Sequence, residues 1–277
     1  MQRVVLKNLI GRIGVPTEQR SVDAGSIKTA YLTAGNGEPV ILLHGAGYGA
    51  IQWFTVIGAL SAHFQIIVPD IVGYGESDKP SAPYDRPFFS AWLQSFVEAL
   101  NLEKISLVGT SQGGAVALQF VLDNPEKVDR LVLVNSAGLG KVAQEVSWNV
   151  KLCMMWQSLF PSPVSNRWFL EHYVLFDSGK IDQAMMDLEE YGREVLRMPG
   201  GRRVFWQGRG RAVAPIPMEQ LGRILHPTLL IWGKEDQSFP LSSAQAAAEM
   251  IPNAQLQVIS GAGHTCFLEK PAEFNWV

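Results

Sequence analysis

The sequence predicts an α/β fold: a mostly parallel sheet with helices on both faces, broken by one long helical insertion. Three observations predict it. Short apolar and β-branched runs alternate with stretches of helical spacing. Several of those runs are continuously apolar, as strands buried on both faces must be. The alternation then stops between about residues 138 and 225, where helical patterning continues without strand-like runs.

Taken in order, strands are expected at 27–32, 40–43, 65–68, 105–108, 131–134, 228–232 and 255–259. Between the third and fourth, Phe89, Trp92, Leu93, Phe96, Val97 and Leu100 fall on one face of a helix over 88–100. Stretches 113–122 and 242–250 also read as helices. The insertion is rich in tryptophan and methionine, with Trp148, Met154, Met155, Trp156, Trp168, Met185, Met186, Met198 and Trp206. Pro161, Pro163, Pro199, Pro215 and Pro217 punctuate it. The expected organisation is a core of residues 1–137 and 226–277, with a helical cap of residues 138–225 over the sheet. The last residues, from Pro271 to Val277, read as a helix cut off soon after it starts.

Composition narrows the function classes. The chain has 277 residues, 47% hydrophobic and 18% charged, enough for a sizeable core. A net charge of -3 and a pI near 6.0 leave no basic footprint for nucleic acid. Cys153 and Cys266 have neither metal-ligand nor disulfide spacing, which fits a reducing compartment. The N-terminal apolar residues are interrupted by Arg3, Lys7, Asn8 and Arg12, so no secretory pattern is present. No uncharged apolar run reaches membrane-spanning length. These features predict a soluble, cytoplasmic protein with no membrane partner.

The chemistry is concentrated at the end of the strand over 105–108. Gly109, Ser111 and Gly113 spell Gly-x-Ser-x-Gly between that strand and a helix. A serine on such a sharp strand-to-helix turn is strained and presents its hydroxyl, so Ser111 is the candidate nucleophile. A serine needs a base to take its proton and a carboxylate to orient that base. His264 and Asp236 follow the last two predicted strands, giving the chain order serine, acid, histidine. Glu235 is the adjacent alternative acid. All lie beyond the carboxyl ends of strands, where ligands bind in open parallel sheets. His44, His63, His172 and His226 form no metal pattern, and no metal or organic cofactor is expected.

Negative charge on a substrate carbonyl oxygen requires preorganised N–H donors. The Gln112 N–H, next after the serine, is one candidate. The Ala46 N–H is the second, in the glycine-rich turn from His44 to Gly49 after the strand over 40–43. His44 and Asp70 are read as braces for their loops rather than as reacting groups. The cap residues Trp148, Met154, Trp156 and Trp206 are candidates for an apolar substrate pocket.

These elements together resemble the α/β-hydrolase-fold serine hydrolases over nearly the whole chain. The matching stretches start at His44, Asp70, Gly109, Gly233 and Gly263. Ser111 sets the chain apart from the dehalogenase and epoxide-hydrolase branches, which use aspartate. Within the superfamily, the loop after His44, Trp53 and the run from Arg130 to Val134 look most like the meta-cleavage-product hydrolases and related carboxylesterases. That resemblance implies a small, largely apolar substrate, cleaved at an ester or at a carbon–carbon bond beside a ketone. It also implies a homodimer, and a cap arginine that binds substrate carboxylate. Arg193, Arg197, Arg202, Arg203, Arg209 and Arg211 are available for that role. Two positions depart from the pattern: Tyr48 replaces a proline in the oxyanion loop, and Thr265 replaces a tryptophan after His264. A ligand receptor with little turnover and a cofactor-free perhydrolase or lyase are the alternative uses of the same site.

Overall fold

The computed structural model describes residues 4–139, 162–208 and 210–277. Eight strands form one sheet in the order β1-β2-β4-β3-β5-β6-β7-β8. They are β1 (Glu18–Ala24), β2 (Ile27–Ala34), β3 (Pro39–Leu43), β4 (Gln65–Pro69), β5 (Ile105–Thr110), β6 (Val128–Val134), β7 (Thr228–Gly233) and β8 (Ala254–Ile259). Every expected strand forms. The pairs β1–β2 and β2–β4 are antiparallel, and the remaining pairs are parallel.

Alternation along the strands builds two cores. Ile41, Leu43, Leu107, Leu131, Leu133, Leu230 and Trp232 face one layer. Val40, Leu42, Ile66, Val68, Val108, Val134 and Ile231 face the other. This is why the runs read as continuously apolar: both faces are covered by helices. Trp53 is fully buried and stacks on Phe267, with ring centroids 4.4 Å apart. It ties the loop after β3 to the helix that follows His264.

The described helices of the core are α1 (Val4–Gly11), α2 (Phe54–Leu60), α3 (Arg86–Ala99) and α4 (Gln112–Asp123) before the insertion. Asp85 caps α3 by accepting from the Phe88 N–H at 3.1 Å, with proline in the first turn. The strand β1 and helices α1 and α2 are additions to the sequence reading. Strand β1, an edge strand, is mostly exposed and carries no apolar run that could have signalled it.

Between β6 and β7 the described residues hold helices and no strand. They include α5 (Pro163–Phe169), α6 (Gln183–Arg197), α7 (Arg203–Gly208) and α8 (Met218–Leu221). After β7 come α9 (Leu241–Met250), α10 (Cys266–Glu269) and α11 (Pro271–Trp276). No described helix is long and apolar enough to cross a membrane.

The topology fixes where a site can lie. The chain runs from β3 to β4 on one side, then returns to β5 on the other side of β3. Strand order therefore reverses between β3 and β5, and a crevice opens at their carboxyl ends.

Candidate active site

Ser111 sits at that crevice, between β5 and α4, with φ 51° and ψ -121°. Positive φ costs a residue with a Cβ energy, so surrounding contacts must hold it there. The Ser111 N–H donates to Val134 O at 3.2 Å, and Ser111 O accepts from the Ala137 N–H at 3.0 Å. The two flanking glycines are required by close approach. A Cβ on Gly109 would lie 2.5 Å from Gly113 O, and one on Gly113 would lie 2.4 Å from Leu43 O.

The loop after β3 lies against the serine. A Cβ on Gly45 would meet Ser111 Cβ at 3.3 Å. The Gly45 N–H donates to Gln52 Oε1 at 2.7 Å, which leaves Ala46, next along, half-buried in the turn. Gln112 is buried at the first turn of α4, and its Oε1 accepts from the Tyr74 hydroxyl at 2.9 Å.

His44 is a brace. The Ile71 N–H donates to its Nε2 at 2.9 Å, so the ring proton sits on Nδ1, which donates to Gly45 O at 2.7 Å. Burial pushes its pKa down to about 4, so the ring stays neutral. Asp70 braces the next loop. Its carboxylate accepts from the Ala50 and Glu76 N–H groups at 2.6 and 2.7 Å. Burial pushes that carboxyl up to about 6 despite those two donors.

Asp236 and His264 meet directly: His264 Nδ1 lies 3.0 Å from Asp236 Oδ2. An ionised carboxylate only accepts, so the proton is on Nδ1 and the Nε2 lone pair is free to act as a base. The Asp236 Oδ1 accepts from the Ser238 and Phe239 N–H groups at 2.7 and 3.1 Å. Burial would raise the Asp236 carboxyl, but His264, Asn135 and the Phe239 N–H outweigh it and hold it below its ordinary value. For His264 burial works downward. Asp236, and then Glu269, overcome it and raise the imidazole above its ordinary value. Glu235, the alternative acid, is engaged elsewhere: its Oε2 accepts from the Gly261 and Ala262 N–H groups.

Ser111 and His264 are brought to the same sheet edge, but no hydrogen bond joins Ser111 Oγ to His264 among the described residues. Such bonds are often long before substrate binds and tighten in the complex.

Several residues of the site escaped the sequence reading. Asn135 stands just beyond β6 with φ 41°. Its Nδ2 donates to Asp236 Oδ2 at 2.6 Å, and its Oδ1 accepts from the Gly233 N–H at 3.2 Å. A polar residue closing the apolar run of β6, at the same edge as Ser111, was the available signal. Asn135→Ala is expected to lower kcat by roughly tenfold to a hundredfold. It removes a hydrogen bond to a charged group worth about 1.5–3 kcal/mol. Steady-state kinetics on the folded variant checks this.

Helix α6 docks on the glycine-rich loop after β3. The Tyr48 hydroxyl donates to Glu189, and a Cβ on Gly192 would lie 3.0 Å from Gly47 O. Burial pushes Glu189 up to about 7, against the effects of Tyr48 and Arg193. Arg193 pairs with Glu190 on the same helix. The other candidate arginines lie elsewhere. Arg203 and Arg211 donate to Lys79 O and Pro83 O, and Arg197 and Arg202 line a surface cleft of about 490 Å³. Trp206 also lines that cleft and is 67% exposed. It is the neighbouring Phe205 whose ring meets Tyr74, 6.2 Å away. Trp148, Met154, Trp156, Cys153 and Arg209 lie outside the described residues. Among the described residues, no group of three or more His, Cys, Asp or Glu is placed to hold a metal.

Known proteins share both sequence and architecture with this chain. The 2-hydroxy-6-oxo-6-(2'-aminophenyl)hexa-2,4-dienoic acid hydrolase of Metapseudomonas resinovorans is 32% identical over 262 residues, 92% of this chain and 88% of that protein. The 2-hydroxymuconate semialdehyde hydrolase of Pseudomonas sp. strain CF600 is 31% identical, over 94% of this chain and 92% of its own length. Among solved structures, the 2-hydroxy-6-oxo-6-phenylhexa-2,4-dienoate hydrolase of Rhodococcus sp. strain RHA1 superposes with a TM-score of 0.80. It is 26% identical, with 94% of this chain and 96% of that chain covered. The family model described as the alpha/beta hydrolase family matches residues 40–275, from β3 into α11. The chain belongs to the alpha/beta hydrolase family of enzymes.

Proposed function

We propose that the chain is a serine hydrolase that cleaves a carbon–carbon bond beside a ketone in a small, largely apolar dienoate-type substrate. The observation that carries the reading is the oriented His264–Asp236 pair beside an elbow that presents Ser111. In this reading His264 Nε2 takes the Ser111 proton as Oγ attacks the carbonyl carbon. The Ala46 and Gln112 N–H groups receive the oxyanion. Collapse of the tetrahedral adduct expels the leaving group, protonated from His264, and leaves an acyl-serine. Water, deprotonated by His264, then releases the carboxylic acid. For a carbon–carbon bond the leaving group is a carbanion, so a dienol substrate must first ketonise.

The activities for which the relatives are named favour this bond over an ester. Ester hydrolysis is the second reading, and a specific observation favours it. Arg193, the cap arginine on the helix against the oxyanion loop, is already paired with Glu190 and stands beside Glu189. That pairing leaves less free positive charge for a substrate carboxylate. The reading keeps the enzyme in the cytoplasm, where Cys266 remains a buried free thiol.

The test assays the purified protein against a ring-fission dienoate and short-chain aryl esters. Dienoate cleavage that fails in Ser111→Ala is the expected result. Ester turnover with an intact dienoate would overturn the carbon–carbon reading in favour of the second.

A further inference from the structure

Glu269 is a buried carboxylate, 3% exposed, with no cationic side chain among the described residues bonded to it. It closes α10, five residues after His264. Its two oxygens reach two different parts of the chain. Oε1 accepts from the Gly263 N–H at 2.8 Å, directly before His264. Oε2 accepts from the Phe176 N–H at 2.7 Å and lies 3.5 Å from the Asp177 N. Phe176 and Asp177 belong to the insertion. The same two segments touch again one residue along, where the His264 N–H donates to Val174 O at 3.2 Å. There is no slack between them: a Cβ on Gly263 would meet the Phe176 N at 3.0 Å and Val174 O at 3.1 Å.

A carboxylate taken out of water is costly unless donors replace the water. Here the donors are backbone N–H groups of the histidine loop and of the insertion, so one side chain holds both. We propose that Glu269 is a positioning residue for His264, a carboxylate clamp that sets the imidazole through the docked insertion segment 174–177. The proposal rests on His264 being the base of the site. It also gives His264 a second negative neighbour besides Asp236.

Among the described residues, Asp236 faces His264 from the loop after β7, Glu269 acts on it from α10, which also carries the Cys266 thiol, and the Phe239 ring packs 5.4 Å away. Burial drives the Cys266 thiol upward, so it stays neutral. Among the described residues, Asp236 and Glu269 add the charge that favours the imidazolium, although burial raises the Glu269 carboxyl itself above its ordinary value.

The test compares Glu269→Gln and Glu269→Asp with the unmodified protein, by pH profiles of kcat and kcat/KM on the substrate that the unmodified protein turns over. Gln removes the charge and presents an amide to at least one N–H it cannot accept from. It is expected to lower kcat by roughly tenfold to a hundredfold and to move the acid limb of kcat/KM to lower pH. Asp keeps the charge on an arm too short to bridge both loops. It is expected to lower kcat with the acid limb unmoved. A Gln variant with unchanged kcat and limb overturns the proposal, as do two variants that move the limb equally. If the Gln variant does not fold, unchanged kcat in the Asp variant overturns it alone. Ser111→Ala is run alongside. Full turnover in that variant fails the reading of the site, whereas dead Ser111→Ala beside unaffected Glu269 variants fails only the clamp.

Discussion

Ser111→Ala is expected to lower kcat by about 10⁴-fold or more while the protein keeps its fold and melting temperature. Alanine removes only Oγ, and Oγ makes no hydrogen bond to His264 whose loss would destabilise the resting protein. The backbone bonds that hold residue 111, to Val134 O and from the Ala137 N–H, do not involve the side chain. Alanine also relieves none of the strain of φ 51°, because it too carries a Cβ. Substrate binding and the proposed Ala46 and Gln112 N–H donors remain, so a small residual rate should persist. Steady-state kinetics together with thermal denaturation separates this outcome from unfolding.

Asp236→Asn is expected to lower kcat by roughly 10³- to 10⁴-fold, for a different reason. Asp236 Oδ2 now accepts from His264 Nδ1, which leaves Nε2 unprotonated. An asparagine can turn an N–H toward Nδ1 and so place the ring proton on Nε2, where the base is needed. The variant also loses the charge that raises the His264 pKa. Catalysis needs neutral His264, and a raised pKa puts the acid limb of kcat/KM above the pH an ordinary histidine would give. In the variant that limb is expected to move to lower pH as the maximum falls. A fall in kcat with an unmoved limb would contradict the assignment of Asp236 as the partner that charges His264.

Much of the sheet was legible because burial on both faces writes itself as an apolar run. Strands β3 to β7 each carry one, and their order with the serine, aspartate and histidine loops places the candidate site at one edge. Strand β1 was not legible, since an edge strand with exposed Glu18, Gln19, Arg20 and Ser21 has no such run. Helix α2 is likewise illegible, since it is short and continues directly from a 3₁₀ turn after the glycine-rich loop.

The supporting groups were the least readable part of the site, and the physical reason is distance along the chain. Asn135 reaches Asp236 across 101 residues, and Glu269 reaches Phe176 across 93. Hydrogen bonds of that kind leave no periodic trace in either segment. The same holds for Tyr48 and Glu189, 141 residues apart. There the sequence showed only that a tyrosine stands where a proline was expected. Its partner is a carboxylate on the insertion, and the glycine-rich loop after β3 is thereby tied to α6.

Covalent trapping decides whether Ser111 is the nucleophile. The protein is treated with an alkyl fluorophosphonate, digested, and mapped by mass spectrometry while activity is followed. One phosphonyl group per chain on Ser111 is expected, formed in step with loss of activity and absent from Ser111→Ala and His264→Ala. Complete inactivation with the label on another residue, or sustained labelling of Ser111 with activity intact, would contradict it.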